Sequence, residues 1–198
     1  MYQKQFAEYF DKHMEEILRD LDEIISIESV GDINAPVKPF GEGSRKALDW
    51  GKAYLEKLGM TTKDFDGYAV HGDFYQNGEC KLAVLSHLDT VPAGEGWSYP
   101  PFKLTKADGK LFGRGTIDDK GPSVAVLWAV KSLTFLSKRT SVLFSAAMKR
   151  VAVRTWNIMK ANSLSLKWCS PPTALFLCST AKRAWCILHS LLNFQMIR

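Results

Sequence analysis

The chain has 198 residues, of which 46% are hydrophobic and 24% are charged, a balance typical of globular rather than disordered proteins. No apolar run reaches the roughly 18 residues of a membrane-spanning helix, and the acidic, amphipathic N-terminus is unlike a signal peptide. Because four cysteines in a chain of this kind do not form a disulfide scaffold, we expect a cytoplasmic protein without a membrane partner.

Charge divides the chain into two unlike segments. All 21 acidic residues lie in residues 1–119, together with 14 lysines and arginines, which gives that part a formal charge of −7. Residues 120–198 contain 12 lysines and arginines and no acidic residue. The net charge of +5 is therefore an average, and it does not indicate that the whole protein binds nucleic acid.

The first predicted elements are two helices. Apolar residues recur at three-, four- and seven-residue steps from Phe6 to Ile24, which predicts one amphipathic helix of about six turns ending near residues 29–31. After a loop rich in glycine and proline, a second helix is predicted over residues 44–58, with Ser44 as its N-cap.

Strands and a further helix follow. Two strands are predicted over residues 68–75 and 81–86, separated by a turn at Asn77-Gly78. A buried helix is predicted over residues 124–133. Because helices and strands interleave along the chain, an α/β layered sheet is the expected fold class.

A first candidate cluster follows the second predicted strand. The apolar run 82–85 suits a strand buried on both faces, and it brings His87 and Asp89 to the carboxyl end, where α/β proteins usually place ligands. Residues two apart in an extended chain point to the same side. An imidazole can bind a metal while a nearby carboxylate fixes its tautomer. The alternative is a surface histidine beside an aspartate in a turn.

A second candidate cluster lies in the glycine-rich segment 113–122. Asp118 and Asp119 are adjacent there and lie a few residues before the third predicted helix. Two adjacent carboxylates are costly unless a cation or a base lies beside them, as when a carboxylate bridges two divalent ions. The alternative is an aspartate that caps a helix. A phosphate-binding loop is disfavoured because its characteristic glycine, lysine and hydroxyl spacing is absent.

Together, these clusters resemble the M20 family of zinc peptidases. The resemblance is carried by residues 87–97, which include His-Leu-Asp-Thr-Val-Pro and Gly-Glu-Gly-Trp, and by residues 113–122, which include Asp-Asp-Lys-Gly-Pro. Within the family, the bacterial PepV-type dipeptidases are the most similar. The resemblance covers about residues 1–133 and implies the N-terminal part of a zinc-exopeptidase-like α/β/α layered sheet, with the lid and dimerisation domain and the later half missing.

The resemblance also implies roles for the candidate residues. His87 matches the family's first metal ligand, and Asp118 matches the carboxylate that bridges two ions. Asp89 matches the acid that steers an active-site imidazole. Asp118 is preferred to Asp119 as the ligand because relatives often have methionine at the second position. In the family, a cis peptide bond often follows the bridging aspartate. The implied cofactor is a pair of zinc ions, with manganese or cobalt as the other options.

The implied activity is hydrolysis of the peptide bond of dipeptides or short peptides that have a free N-terminus. Two ions would polarise the scissile carbonyl and activate a water molecule, and a glutamate would take the proton of that water. An N-acyl-amino-acid deacylase of the same superfamily is an alternative. A further alternative is a non-catalytic remnant or a binding protein whose basic segment meets acidic partners. The sequence indicates neither the preferred dipeptide nor the oligomeric state.

The acid-free segment 134–198 does not fit the family pattern. It cannot supply the glutamate base or the further acidic ligands, and the surroundings of its histidine, His189, match nothing in the family. Three cysteines near that histidine lack the close pairing of a zinc finger. They are Cys169, Cys178 and Cys186.

A change of reading frame would explain this segment. If the codon boundaries are displaced by two bases, the codons of Met148-Lys149 necessarily contain the glutamate codon GAA. The family has a Glu-Glu pair at this place. We therefore expect a frameshift before about residue 136. Residues 1–133 would form a partial catalytic domain, residues 134–198 would be poorly ordered, and the chain as written would be inactive.

Overall fold

Helices and strands alternate along the part of the chain that a computed structural model describes, namely residues 2–37, 39–74, 82–136, 142–147, 175–178 and 195–197. The helices in this part are α1 (Tyr2–Lys12), α2 (Met14–Ser26), α3 (Glu42–Lys57) and α4 (Lys120–Leu136). The strands are β1 (Thr61–Asp64), β2 (Ala69–Phe74), β3 (Leu82–His87), β4 (Thr105–Ala107), β5 (Lys110–Phe112), β6 (Val142–Ala147), β7 (Leu175–Cys178) and β8 (Gln195–Ile197). The predicted α/β class is confirmed.

The first helical segment is two helices, and the prediction of one continuous helix was wrong. The break lies at His13, where the backbone adopts φ −108° and ψ 14°. The imidazole Nδ1 of His13 donates a hydrogen bond to the carbonyl oxygen of Tyr9 at 2.7 Å. The apolar period continues across this single non-helical residue, which is why the sequence pattern did not show the break.

Helix α3 begins earlier than predicted, and the prediction of Ser44 as its N-cap was also wrong. Gly41 occupies the N-cap position with φ 94°, a conformation that favours glycine. Ser44 is buried inside the first turn of the helix. The predicted helix over residues 124–133 is confirmed as part of α4, which begins at Lys120 because a proline in the first helical turn is tolerated.

The larger sheet is mixed, with strand order β1-β2-β6-β3-β7. Strand β6 pairs antiparallel with β2 and parallel with β3, so the two predicted strands at 68–75 and 81–86 form without becoming neighbours. The turn predicted at Asn77-Gly78 lies outside the described residues. A second sheet has the order β4-β5-β8, in which the β4–β5 hairpin turns at Asp108-Gly109.

Strands β6, β7 and β8 belong to the segment that the sequence predicts to be poorly ordered. The remaining residues beyond 136 lie outside the described residues. The division of the chain at residue 133 stays a prediction.

Helices α2, α3 and α4 share one hydrophobic core with the larger sheet. The buried carboxylate of Asp20 in α2, which is 3% exposed, connects all three helices. Its Oδ2 accepts hydrogen bonds from Tyr54 Oη of α3 at 2.7 Å and from Trp128 Nε1 of α4 at 2.9 Å. The largest fully buried apolar side chains among the described residues are Trp128, Ile17, Leu21, Ile24, Ile25, Leu48, Leu55, Leu88, Leu111 and Leu127.

This packing brings three chain segments together at the carboxyl end of β3. The segment after β3 is attached to the residues after α2, because Thr90 N donates to Ser29 O at 3.0 Å and Ser29 Oγ donates to Leu88 O at 2.7 Å. The segment before α4 contributes Asp118 and Asp119 to the same place. Among the described residues, no helix has the length and apolarity required to cross a membrane.

Candidate functional site

His87 lies at the centre of the candidate site and contacts both of the acids predicted to accompany it. It is the last residue of β3, and its side chain is 14% exposed. Its Nε2 lies 3.0 Å from Asp118 Oδ1, and its Nδ1 lies 3.1 Å from Asp89 Oδ1. The structure therefore brings the three predicted site residues together, with the imidazole between the two carboxylates.

The electrostatic environment of His87 favours a positive charge. Burial of the imidazole lowers its pKa, but the hydrogen bond to Asp89 and the charges of Asp89, Asp119 and Asp118 outweigh that effect and raise the pKa above its ordinary value. The same negative surroundings would stabilise a cation bound between the imidazole and Asp118.

The adjacent carboxylates of Asp118 and Asp119 face in different directions. The Asp118 side chain is 48% exposed and faces His87, whereas Asp119 is 0% exposed. The Asp119 Oδ2 accepts hydrogen bonds from Ser86 Oγ at 2.7 Å and from His87 N at 3.3 Å. The peptide bond between the two aspartates is cis, as the resemblance implies.

Ser86 and Ser123, which no sequence motif singled out, extend this buried network. The oxygen atoms of the two hydroxyl groups are in direct contact with each other. Ser123 Oγ also donates to the backbone oxygen of Asp119 at 2.7 Å. The sequence signal that could have indicated them is their position. Ser86 directly precedes His87, and Ser123 lies in the first turn of α4.

Lys120 is a further site residue that was not predicted from the sequence. It is 0% exposed, and its Nζ donates a hydrogen bond to the carbonyl oxygen of Ile27 at 2.6 Å. Burial lowers the pKa of Lys120 to about 7, although the charges of Asp89 and Glu28 act in the opposite direction. A lysine at the junction of an acidic pair and a strongly apolar helix was the available signal.

An ordered loop flanks the glycine-rich segment. The carbonyl oxygen of Ala93 accepts hydrogen bonds from Arg114 Nη2 at 2.6 Å and from Trp97 Nε1 at 2.9 Å. The guanidinium group of Arg114 lies 4.9 Å from the centre of the Trp97 ring. This cation–π contact fixes the loop that carries the Gly-Glu-Gly-Trp stretch against the segment that leads to Asp118.

The donor atoms of His87 and Asp118 fit a divalent transition metal. Imidazole nitrogen and carboxylate oxygen are both ordinary ligands of zinc, and an acid on the far nitrogen of the histidine is a common accompaniment. Within the described ranges, no group of three or more histidine, cysteine, aspartate or glutamate side chains is placed to hold an ion. This part of the chain therefore supplies two donors, and a complete coordination shell would need others from elsewhere.

Comparison with known proteins gives one family match. Residues 83–147 match the model of the peptidase family M20/M25/M40, a range that includes β3, the candidate site and β6. The chain is 42% identical over 119 residues to the YtjP protein of Bacillus subtilis, and 35% identical over 128 residues to the Beta-Ala-Xaa dipeptidase of Lactobacillus delbrueckii subsp. lactis. These alignments cover 59% and 63% of the chain, but only 26% and 27% of the two relatives.

The fold comparison agrees. Human carnosine dipeptidase 1 superposes with a TM-score of 0.74 at 23% sequence identity, over 90% of this chain and 41% of that protein. The chain thus spans roughly a quarter of the length of the curated relatives named above, while sharing the fold of the corresponding part.

Proposed function

We propose that the chain, whose residues 83–147 match the model of the M20/M25/M40 peptidase family, is part of the catalytic domain of a metal-dependent dipeptidase. The proposed reaction is hydrolysis of the peptide bond of dipeptides or short peptides with a free N-terminus, in the cytoplasm. The contact of 3.0 Å between His87 Nε2 and Asp118 Oδ1, with Asp89 on the other side of the imidazole, carries this proposal.

His87 and Asp118 are the residues that would hold the metal, which we expect to be zinc, with manganese or cobalt as alternatives. Divalent ions in such a site polarise the scissile carbonyl and lower the pKa of a water molecule. With a metal bound, Asp89 would accept a hydrogen bond from Nδ1 of His87, which would leave the lone pair of Nε2 for the ion. Asp119 fixes the backbone of His87 through its hydrogen bonds and has no carboxylate surface left for substrate.

A general base is the missing part of this mechanism. Every acidic residue of the chain precedes Lys120, and the acids at the site already have the contacts described above. We therefore propose that a glutamate encoded by the restored reading frame supplies the base, and that the chain as written does not catalyse the reaction.

Metal uptake and hydrolysis test the proposal separately. The chain is titrated with Co²⁺ and its absorption spectrum is followed, with His87→Ala and Asp118→Ala as site variants and His13→Ala as the matched control outside the site. We expect the two site variants to lose the Co²⁺ spectrum and His13→Ala to retain it. Retention of the spectrum by both site variants would rule out this pair as metal ligands.

The restored-frame protein is then assayed with dipeptides and with N-acetyl amino acids, with and without a chelator. Hydrolysis of dipeptides that the chelator abolishes supports the proposed activity. Preferential hydrolysis of N-acetyl amino acids would instead show a deacylase.

A further inference from the structure

We propose that Lys120 is a positioning residue of the candidate site, whose buried ammonium group holds the segments carrying His87 and Asp118 against the end of α2. The inference rests on the proposed function only through the roles given there to His87 and Asp118. The contacts of Lys120 itself are independent of those roles.

The ammonium group lies where three chain segments converge. Its hydrogen bond of 2.6 Å ends on the carbonyl oxygen of Ile27, one residue past α2. Carbonyl groups at a helix C-terminus lack partners within the helix and carry partial negative charge, so a cation is favoured there. The carboxylates of Asp89 and Glu28 act electrostatically on the same ammonium group. Lys120 therefore donates a hydrogen bond to the end of α2 and is attracted electrostatically by the carboxylate of Asp89 in the segment after β3.

The aliphatic stem of Lys120 is also in close contact with its surroundings, like the ammonium group. Gly115 lies directly against it, because a methyl group on Gly115 would come within 2.9 Å of Lys120 Cδ and 3.2 Å of Thr90 Cγ2. Gly115 has φ 97°, which an L-residue rarely adopts. Thr90 is in turn attached through its backbone to Ser29. The stem thus fills the space between the glycine-rich segment and the segment after β3.

These contacts explain how Lys120 could affect the site without being a ligand. His87 and Asp118 lie on two of the segments that meet around Lys120, and their side chains must meet at about 3 Å to share one ion. Removal of the ammonium group leaves the Ile27 carbonyl without its donor and Asp89 without its neighbouring positive charge. The position of the Asp89 carboxylate, and with it the orientation of the hydrogen-bonded His87 ring, would then change. Nε2 of His87 would no longer be aligned with Asp118.

The test is the His87 ring signal in the full chain, observed by NMR with ¹⁵N-labelled histidine at a single pH. Lys120→Met keeps an unbranched side chain as far as the Cε position and removes the ammonium group. We expect this variant to displace the ring signals of His87 and to weaken Co²⁺ binding by about tenfold or more, as for other residues that orient metal ligands. The ring signals of the other histidines serve as internal references. These are His13, His71 and His189.

Trp128→Phe is the matched control, because it removes a buried hydrogen bond from the same helix at Asp20 rather than at the site. We expect it to lower stability while leaving the His87 signals and the Co²⁺ affinity unchanged. A folded Lys120→Met variant with unchanged His87 signals would overturn the proposal.

If Lys120→Met does not fold, Lys120→Gln replaces it under the same criteria. If circular dichroism shows that neither variant folds, Lys120 is a general requirement of the fold and the proposed positioning role is rejected. If the unsubstituted chain binds no Co²⁺, the proposed metal site fails, whereas the His87 ring signals still decide the role of Lys120.

Discussion

At the scale of single residues, the site separates roles that the sequence places side by side. Asp118 and Asp119 are neighbours with the same side chain, yet one faces His87 at the surface and the other is fully buried against Ser86. Lys120, the next residue, is buried on a carbonyl group from a distant segment. Three consecutive polar residues therefore serve as a candidate ligand, a structural acceptor and a buried hydrogen-bond donor.

Asp119→Ala should affect mainly the stability of the fold, whereas Asp118→Ala should affect mainly metal binding. Asp119→Ala removes the buried carboxylate that accepts from the Ser86 hydroxyl and from the His87 amide, so we expect the free energy of unfolding to fall by about 1–3 kcal/mol. Asp118→Ala should change stability by less than about 1 kcal/mol, because its carboxylate is half exposed, but it should abolish metal binding. Urea denaturation and Co²⁺ titration of both variants measure the two effects. Loss of metal binding in Asp119→Ala with retention in Asp118→Ala would reverse the assignment.

At the scale of secondary-structure elements, one buried carboxylate and one close backbone contact set how the helices pack. Asp20 joins α2 to Tyr54 of α3 and to Trp128 of α4. The first turn of α3 also lies directly on the residues after α2, where a methyl group on Gly43 would come within 2.0 Å of the Glu28 carbonyl oxygen. Because those residues are attached to the segment after β3, helix packing and site geometry are connected.

Tyr54→Phe should lower stability in a pH-dependent way. Burial, the hydrogen bond to Asp20 and the charges of Asp20, Tyr9 and Glu16 raise the pKa of Tyr54 well above its ordinary value of about 10. The folded state therefore keeps the phenol protonated, and this stabilisation is complete below pH about 10 and is lost as pH rises beyond it. At pH about 8 we expect the variant to lose about 1.5–3 kcal/mol, the value of a hydrogen bond to a charged group.

The difference in the free energy of unfolding between the unsubstituted chain and Tyr54→Phe should shrink above pH about 10, because only the unsubstituted chain has this phenolic proton to lose on unfolding. Urea denaturation at several pH values gives the comparison. Tyr99→Phe is the matched control, since its ring packs on Phe112 in the hairpin instead of on the helices. A pH-independent difference for Tyr54→Phe would show that the phenol does not carry this effect.

Gly43→Ala and Gly51→Ala provide a matched pair within α3. Alanine is intrinsically favoured over glycine in a helix by about 1 kcal/mol, so both changes would stabilise an isolated helix. A methyl group on Gly43 collides with backbone at Glu28, whereas one on Gly51 meets only the flexible tip of Leu88 at 2.9 Å. We expect Gly43→Ala to lower the free energy of unfolding by on the order of 1–3 kcal/mol, and Gly51→Ala to change it by less than about 1 kcal/mol. Equal effects in denaturation experiments would contradict this packing.

The sequence was most informative where a periodic pattern or a dense polar motif was present. The helix over residues 124–133 and the strands around residues 69–74 and 82–87 followed from apolar patterns, and His87, Asp89 and Asp118 were found as candidates from their motifs. The three-residue strands β4 and β5 were missed because three residues are too few to show an alternation.

Contacts between distant segments could not be read from local patterns. The insertion of β6 between β2 and β3 depends on strand pairs whose residues are more than 50 positions apart in the sequence. A local turn motif carries no information about such pairs. The burial of Lys120 on Ile27 is likewise set by a contact between segments 93 residues apart. Because lysine side chains are usually exposed, the sequence alone would place Lys120 at the surface. Its burial became evident only from the structure.

At the scale of the whole molecule, the chain combines a family-like N-terminal part with a segment of different composition. The family match ends at residue 147, and acidic residues end at Asp119. A dipeptidase mechanism needs a base and further ligands in addition to the pair supplied by His87 and Asp118. The composition of residues 120–198 offers no carboxylate for those positions.

The chain as written should therefore have no peptidase activity, even when it is saturated with zinc. Asp89 is engaged by His87, and Asp119 is fully buried, so neither carboxylate is placed to take a proton from a water molecule. A general base contributes about 10²–10⁴-fold to such reactions, and an incomplete ligand set weakens the contribution of the metal at the same step. We expect hydrolysis of dipeptides by the purified chain with added Zn²⁺ or Mn²⁺ to equal that of buffer with the free ion.

The restored-frame protein serves as the positive control in the same assay, and it should lose its activity when a chelator is added. Turnover by the chain within about tenfold of that control would show that residues 120–198 supply a proton acceptor. His189 would then be the first residue to substitute, because a histidine exchanges protons near neutral pH while the lysines and arginines around it remain charged. Loss of that activity in His189→Ala would identify the acceptor, and its persistence would direct the search to the acids before Lys120.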